Sequence, residues 1–313
     1  MSLTLSVAAF IASILLIYAG SKKIVHSACG LAESIKLHKV VVGTVFVASV
    51  TSAPELLSSL IATLYGSSHM ALGNIIGSNI YNIPLIVGIC GLIGEFRIKN
   101  CTIGRECLFM MGLAALLMVL TIATGMVTWW MGLIFLTLYP LFIYYSIHKG
   151  NGNGCSTDKP SENTLKLAAV MLLGGIALIA GTFLLVYSVT VMAETFGLAQ
   201  FYAGLTIMAL GCVVPETAVS VAAALHGEQE ISIGNVIGDN IITITLVFGI
   251  VGLIRSFTVS ISEILSTVPF MILITFILYL MNRRSHKITK AWSLLMLAVA
   301  TAAFAFETFN YML

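Results

Sequence analysis

Ten apolar runs follow one another along the 313-residue chain, at approximately 3–20, 38–65, 70–94, 106–125, 128–147, 165–190, 199–225, 230–254, 262–281 and 291–311. Each has about the 20 residues that a helix needs to cross a hydrocarbon core roughly 30 Å thick. In lipid every backbone N–H and C=O must be satisfied within the protein, so only helices and closed barrels can span it. The runs therefore predict an all-α polytopic membrane protein with ten transmembrane helices. Composition agrees: only 9% of the residues are charged, against about 25% in a typical soluble domain. The N-terminal stretch "MSLTLSVAAFIASILLIYAG" has no basic residues ahead of its apolar run and reads as a first span rather than a cleaved signal.

The break "HKGNGNGCSTDKPSEN" (148–163) is the one long polar linker. It divides the chain into residues 1–147, the linker 148–163, and residues 164–313, with five spans on either side. Charge tests this count, because cytoplasmic loops are enriched in Lys and Arg. Fourteen of the 15 basic residues fall on one side of the membrane under this span list, and only Arg255 falls on the other. The basic side is thus expected to be cytoplasmic, and both termini extracellular. A missed span would scramble that sorting.

The halves repeat. A shift of 161 residues aligns 43–88 with 204–249, and 17 of the 46 positions are identical without a gap. They include Pro54/Pro215, Glu55/Glu216, Gly73/Gly234, Asn74/Asn235, Gly77/Gly238 and Asn79/Asn240. Apolar composition yields chance matches of Ile, Leu and Ala, but it does not align PE with PE and GNxxG with GNxxG. With an odd number of spans per half, the second half is expected to be inverted relative to the first. Secondary transporters are commonly built this way, with the binding site near the midplane where the repeats meet.

Glu55 lies near the centre of one apolar run, where a carboxylate costs several kcal/mol, from about 2.5 upward. Pro54 has no N–H for the carbonyl of Val50, nor Pro215 for that of Gly211. Thr51, Ser52, Ser58 and Ser59 stand three or four residues from Glu55 and are expected to share its helix face. Asn74, Ser78 and Asn82 recur at i, i+4, i+8, and Asn235, Asp239 and Thr243 repeat that stripe. GxxxG spacing at Gly73/Gly77 and Gly234/Gly238 predicts close helix approach. Glu55, Glu216 and Asp239 thus form a set of membrane-depth acids with no Lys, Arg or His at comparable depth. Buried anions without internal counter-charge demand protons or cations from solution. Carboxylate, hydroxyl and carbonyl oxygens together suit a hard cation. The other acids, Glu106 among them, read as ordinary loop or span-end charges, and Glu307 as snorkelling to the outer interface.

Other chemistries find little support. The net charge is +2 with no basic patch carrying interleaved aromatics, so no nucleic-acid partner is expected. Cys29, Cys90, Cys101, Cys107, Cys155 and Cys212 show no metal-ligand spacing. The six histidines sit at span ends or in connections, which weakens a histidine proton relay. A channel needs no inverted carboxylate pairs. An intramembrane protease would need a GxGD motif or a nucleophile with its base, and neither is present.

The paired segments "TSAPE…GNIIGSNIYN" and "CVVPE…GNVIGDNIIT" resemble the α-repeats of the cation/calcium antiporter superfamily, most closely its prokaryotic sodium/calcium exchangers. The resemblance extends over the whole chain. It implies that Glu55 and Glu216 coordinate Ca²⁺ and share Na⁺, and that Thr51, Ser52, Ser78 and Asn82 line the same cluster. It also implies that spans 3–20 and 165–190 move as a gating pair. The second repeat departs from the family pattern, with Cys212 and Val213 in place of a Thr-Ser pair, Asp239 in place of Ser, and Thr243 in place of an acid or Asn. Two hydroxyl ligands are lost and one acid has moved by a helical turn. The expectation is a multi-pass cell-membrane antiporter, not an enzyme, that exchanges Ca²⁺ or a similar divalent for Na⁺ by alternating access. A proton-coupled divalent exchanger is the alternative. Its metal-binding residues would be Glu55, Glu216, Asp239, Thr51, Ser52, Ser78 and Asn82, with no cofactor and no obligate protein partner.

Overall fold

Apolar runs become separate helices where the sequence supplies residues that let the chain reverse. Gly66, Gly125 and Gly227 take φ of +87°, +66° and +78°, a left-handed conformation that favours glycine. The computed structural model describes residues 3–34, 39–94, 96–97, 102–150, 163–193, 202, 204–285 and 287–312. Its helices are α1 (Leu3–Ser34), α2 (Lys39–Thr51), α3 (Ala53–Leu64), α4 (Ser68–Ile93), α5 (Thr102–Thr124), α6 (Trp129–Gly150), α7 (Thr164–Ala193), α8 (Gly204–Leu225), α9 (Gln229–Ile254), α10 (Ile261–Ser285) and α11 (Lys290–Met312). Among the described residues, the eight helices α4 to α11 are long and apolar enough to cross a membrane, and α2 with α3 makes a ninth candidate bent by 41°. Leu141, Leu173 and Leu294 face outward, as lipid-facing side chains do. The chain is an all-α, multi-pass membrane protein.

Two-residue ribbons join the connections: β1 (Phe96–Arg97) pairs antiparallel with β4 (Lys287–Ile288), and β2 (Met126–Val127) with β3 (Phe257–Thr258). The 161-residue shift carries β1 onto β3 and β2 onto β4, and the register Phe96↔Ile288 onto Phe257↔Val127. The same shift relates the turn glycines Gly66 and Gly227. It also overlaps the wider π turns at Val42–Val47 and Gly204–Met208. Another π turn among the described residues, Thr243–Val247 in α9, matches regular helix containing Pro84 in α4.

The main core is built largely from α4, α5, α6, α8, α9 and α10, with Tyr81, Phe135 and Phe248 as its largest fully buried side chains. A second cluster joins α1 to α7 and to one flank of α2 through Ile24, Val25, Leu31, Leu167 and Met171. α1 runs the length of α7, and a methyl group on Gly20 would lie 2.6 Å from the Gly174 carbonyl oxygen.

Several expectations need correction. The first run, expected to end at 20, continues as helix to Ser34. Lys22, Lys23 and His26 lie on its exposed side, while Ile24, Val25, Ala28 and Leu31 bury a helical stripe. The charges mark one face of a longer helix rather than its end. Glu307 does not reach an interface: it is 1% exposed and accepts a hydrogen bond from the Tyr81 hydroxyl. Glu106 is not an ordinary span-end charge either, being buried at 5% exposure. Of the expected linker, residues 151–162 lie outside the described residues.

Candidate ion-binding site

Each PE pair puts a glutamate into the core, by different backbone routes. α2 stops at Thr51, Ser52 forms the joint, and α3 restarts at Ala53 with Pro54 in its first turn. Proline is tolerated there because the first N–H groups of a helix have no intrahelical acceptor. Glu55 thereby falls in the first turn of α3, where free N–H groups and the helix dipole favour a negative charge. In α8 the matching Pro215 sits inside a continuous helix, Ala209–Leu225, so the second PE does not break its helix.

Close crossings bring these segments together. A methyl group on Gly77 would strike the Leu205 carbonyl oxygen and approach Ala209 Cβ to 2.8 Å. On Gly238 it would strike the Thr44 carbonyl oxygen and approach Ala48 Cβ to 2.7 Å. The two sets are related by the 161-residue shift: α4 crosses α8 as α9 crosses α2. This is the close approach that GxxxG spacing predicts, and it aims the stripes of α4 and α9 at the PE glutamates.

Glu55, Glu216 and Asp239 converge, each offering an oxygen within 4.8 Å of the others. All three are fully buried. Neither oxygen of Glu55 nor of Glu216 has a hydrogen-bond partner among the described residues. Asp239 differs. Its Oδ1 accepts from Ser52 Oγ, and its Oδ2 accepts from Asn82 Nδ2 at 2.7 Å. Buried polar atoms are nearly always partnered, so four carboxylate oxygens without a protein donor in one place suit a cation or a shared proton.

A polar frame surrounds them. Thr51 Oγ1 donates to Asn235 Oδ1 at 2.9 Å, and Asn235 Nδ2 donates to Ser220 Oγ at 3.0 Å. In the other half Asn74 Nδ2 donates to Ser59 Oγ at 2.9 Å, the same bond shifted by 161 residues. Asn74 Oδ1 has no donor, because the counterpart of Thr51 is Cys212, whose Sγ contacts Ser58 Oγ at 3.5 Å instead. Asn82 Nδ2 also donates to Asn240 Oδ1 at 2.9 Å, leaving Asn82 Oδ1 open.

The structure thus gathers Glu55, Glu216, Asp239, Ser52 and Asn82 directly, while Thr51 bonds Asn235, one turn before Asp239 on α9. Ser78 is buried one turn before Asn82, and its hydroxyl donates to the Ile75 carbonyl at 3.2 Å. Of the residues expected to crowd Glu55, Ser59 instead anchors Asn74. Thr243 returns its hydroxyl to the Asp239 carbonyl at 2.7 Å. Sequence reasoning missed Asn240 and Ser220 as members of the frame, although the Ser59/Ser220 and Asn79/Asn240 identities carried the signal.

Comparison with known proteins bears on this arrangement. The family model described as "Sodium/calcium exchanger protein" matches residues 5–148 and 166–308. The chain belongs to the sodium/calcium exchanger family. Among family relatives, the inner membrane protein YrbG of Escherichia coli is 30% identical over 269 residues, covering 80% of each chain. The sodium/calcium exchanger MaX1 of Methanosarcina acetivorans is 28% identical over 91% of this chain and 93% of its own. A solved structure of the sodium-calcium exchanger NCX_Mj, soaked with Na⁺ and Sr²⁺, superimposes with a TM-score of 0.82 at 26% identity, over 97% of this chain and 99% of its own. Membership makes the chain a secondary active antiporter rather than an enzyme, and its buried carboxylate cluster suits ion binding and exchange.

Proposed function

We propose that Glu55 and Glu216 hold one Ca²⁺, or a similar divalent ion, between two inverted five-helix repeats, and exchange it for Na⁺ by alternating access. The observation that carries this reading is their four unpartnered carboxylate oxygens, fully buried, contributed by α3 and α8. The two open carboxylates match a divalent ion charge for charge, while Asp239 is held by donors from Ser52 and Asn82. Asn82 and Ser52 reach the cluster through Asp239, with Asn82 Oδ1 open, and the Thr51 and Ser78 hydroxyls are proposed to complete the set. Ca²⁺ takes about 6–8 oxygens at about 2.3–2.6 Å, a set that these side chains and nearby carbonyls can supply. The matched ribbons, crossings and Asn–Ser bonds support the inverted repeat, with α1 as the tenth span and residues 1–147 and 164–313 as the repeats, and the one-sided basic residues support extracellular termini.

Exchange follows from electrostatics. An empty cluster of carboxylates is too costly to bury and occlude, whereas a neutralised one is not. Divalent and monovalent ions compete for the same oxygens, so each crossing carries one or the other. α1 and α7 pack chiefly on each other and rest on α2, α8 and α9 through a second apolar cluster, and they are the pair proposed to move over the helices that hold the site. The test is Ca²⁺ uptake into proteoliposomes under an imposed Na⁺ gradient. Glu55→Gln and Glu216→Gln should each reduce it to background, and uptake that survives both would overturn the assignment.

A second reading, exchange against H⁺, rests on Ser52. Its one hydroxyl proton faces two acceptors, the Ala48 carbonyl at 2.7 Å and Asp239 Oδ1. A proton on Asp239 would satisfy both, and would leave Glu55 and Glu216 as the charged pair. Uptake driven by a pH gradient alone, and lost in Asp239→Asn, favours this reading. Uptake that requires Na⁺ favours the first.

A further inference from the structure

The ion site accounts for three buried acids; Glu106 lies apart from them, near the start of α5. Its side chain is 5% exposed and its Oε2 has no hydrogen-bond partner. It borders a cavity of about 350 Å³ between α5 and α6, lined by Arg105, Glu106, Phe109, Leu138, Leu141, Phe142 and Tyr145. The last four occupy i, i+3, i+4 and i+7 on one face of α6. Although a short turn joins α5 to α6, α5 packs mainly on α10 and α6 on the end of α9. The space between the two is therefore open, bridged by the stacked rings of Phe109 and Phe142 with centroids 5.6 Å apart. Arg105 is at one end, its guanidinium donating to the Tyr145 hydroxyl at 3.2 Å.

The repeat supplies an internal control. The 161-residue shift carries Arg105 and Glu106 onto Ser266 and Thr267, and Phe109 and Tyr145 onto Phe270 and Phe306. There the rings of Phe270 and Phe306 meet at 5.2 Å, and both hydroxyls donate to the Glu263 carbonyl, at 3.1 and 2.6 Å. The two positions matching Arg105 and Glu106 are thus taken by hydroxyls bonded to the backbone. The first half instead keeps an open buried carboxylate beside a cation, facing an apolar slot in a lipid-facing part of the molecule.

We infer that this slot binds a phospholipid with a primary-amine headgroup, of the phosphatidylethanolamine type. One acyl chain would lie against Phe109, Leu138, Leu141 and Phe142. Its phosphate would meet Arg105, whose planar guanidinium suits phosphate oxygens. The ammonium group would donate to Glu106 Oε2, which satisfies the buried carboxylate. Opposite charges placed side by side match this zwitterion end to end, and an anionic headgroup leaves Glu106 unmatched. A trimethylated amine has no N–H to give.

The experiment is native mass spectrometry of the full-length protein in detergent, titrated with phosphatidylethanolamine, phosphatidylcholine and phosphatidylglycerol of identical chains. Phosphatidylethanolamine should bind more tightly than phosphatidylcholine by on the order of tenfold, as one charge-assisted hydrogen bond implies. Glu106→Gln should abolish that preference while retaining weak binding of both, and Arg105→Gln should weaken all three lipids. Glu106→Thr, copying Thr267, serves as the folding control: it should unfold at no lower temperature than the parent and still lose the preference. Equal binding of phosphatidylethanolamine and phosphatidylcholine by the parent would overturn the proposal, as would a preference unchanged in both Glu106 variants.

Discussion

Asn74 and Asn235 occupy matching positions but do not have matching partners. Thr51 serves the carbonyl oxygen of Asn235, while cysteine at 212 leaves that of Asn74 without a donor. Cys212→Thr should restore the missing bond and raise stability by about 1 kcal/mol, the net worth of a buried hydrogen bond. Thermal unfolding in detergent checks this, and a variant no more stable than the parent would contradict it. Tyr81 offers the opposite case. Its hydroxyl donates to the buried Glu307, so Tyr81→Phe would strand a carboxylate and should cost about 1–3 kcal/mol. The PE glutamates and Asp239 were legible from the sequence because an acid in a long apolar run is expensive wherever it points. The burial of Glu106 and Glu307 was not, because residues near span ends face water, lipid or protein with nearly the same sequence. Only the neighbour decides, and for Glu307 that neighbour, Tyr81, lies 226 positions away.

At the scale of helices, the two PE segments differ more than their sequences suggest. α2 and α3 meet at a 41° bend, whereas Pro215 is carried inside α8. Pro54→Ala returns an N–H to the Val50 carbonyl and should straighten the joint. That would move Glu55 away from Glu216 and reduce exchange while the protein still folds, as followed by flux and circular dichroism together. Gly238→Val should do worse, because a side chain there meets the Thr44 carbonyl and Ala48 Cβ. Overpacking of this kind typically costs about 1–3 kcal/mol. GxxxG spacing predicted these crossings from sequence alone. The two-residue ribbons were not predictable, since pairs such as Phe96–Arg97 are too short to show alternation. Nor was the length of α1, where periodic burial of Ile24, Ala28 and Leu31 runs on past the basic residues.

For the molecule as a whole, the 161-residue repeat was legible because PE and GNxxG recur in one register with few chance alternatives. What it means in space depends on orientation, to which the excess of basic residues on one side speaks. On intact cells an impermeant thiol reagent should spare Cys155 in the linker until the membrane is opened. It should modify Ser2→Cys from outside, and the reverse pattern would contradict the proposed topology. If Glu55 and Glu216 carry the exchanged divalent ion, Ca²⁺ flux into proteoliposomes depends on both. Purified parent protein should take up Ca²⁺ only against an outward Na⁺ gradient or, in the second reading, an outward H⁺ gradient. Either glutamate-to-glutamine change should reduce uptake to the level of empty vesicles; gradient-driven uptake persisting in both variants would contradict the account.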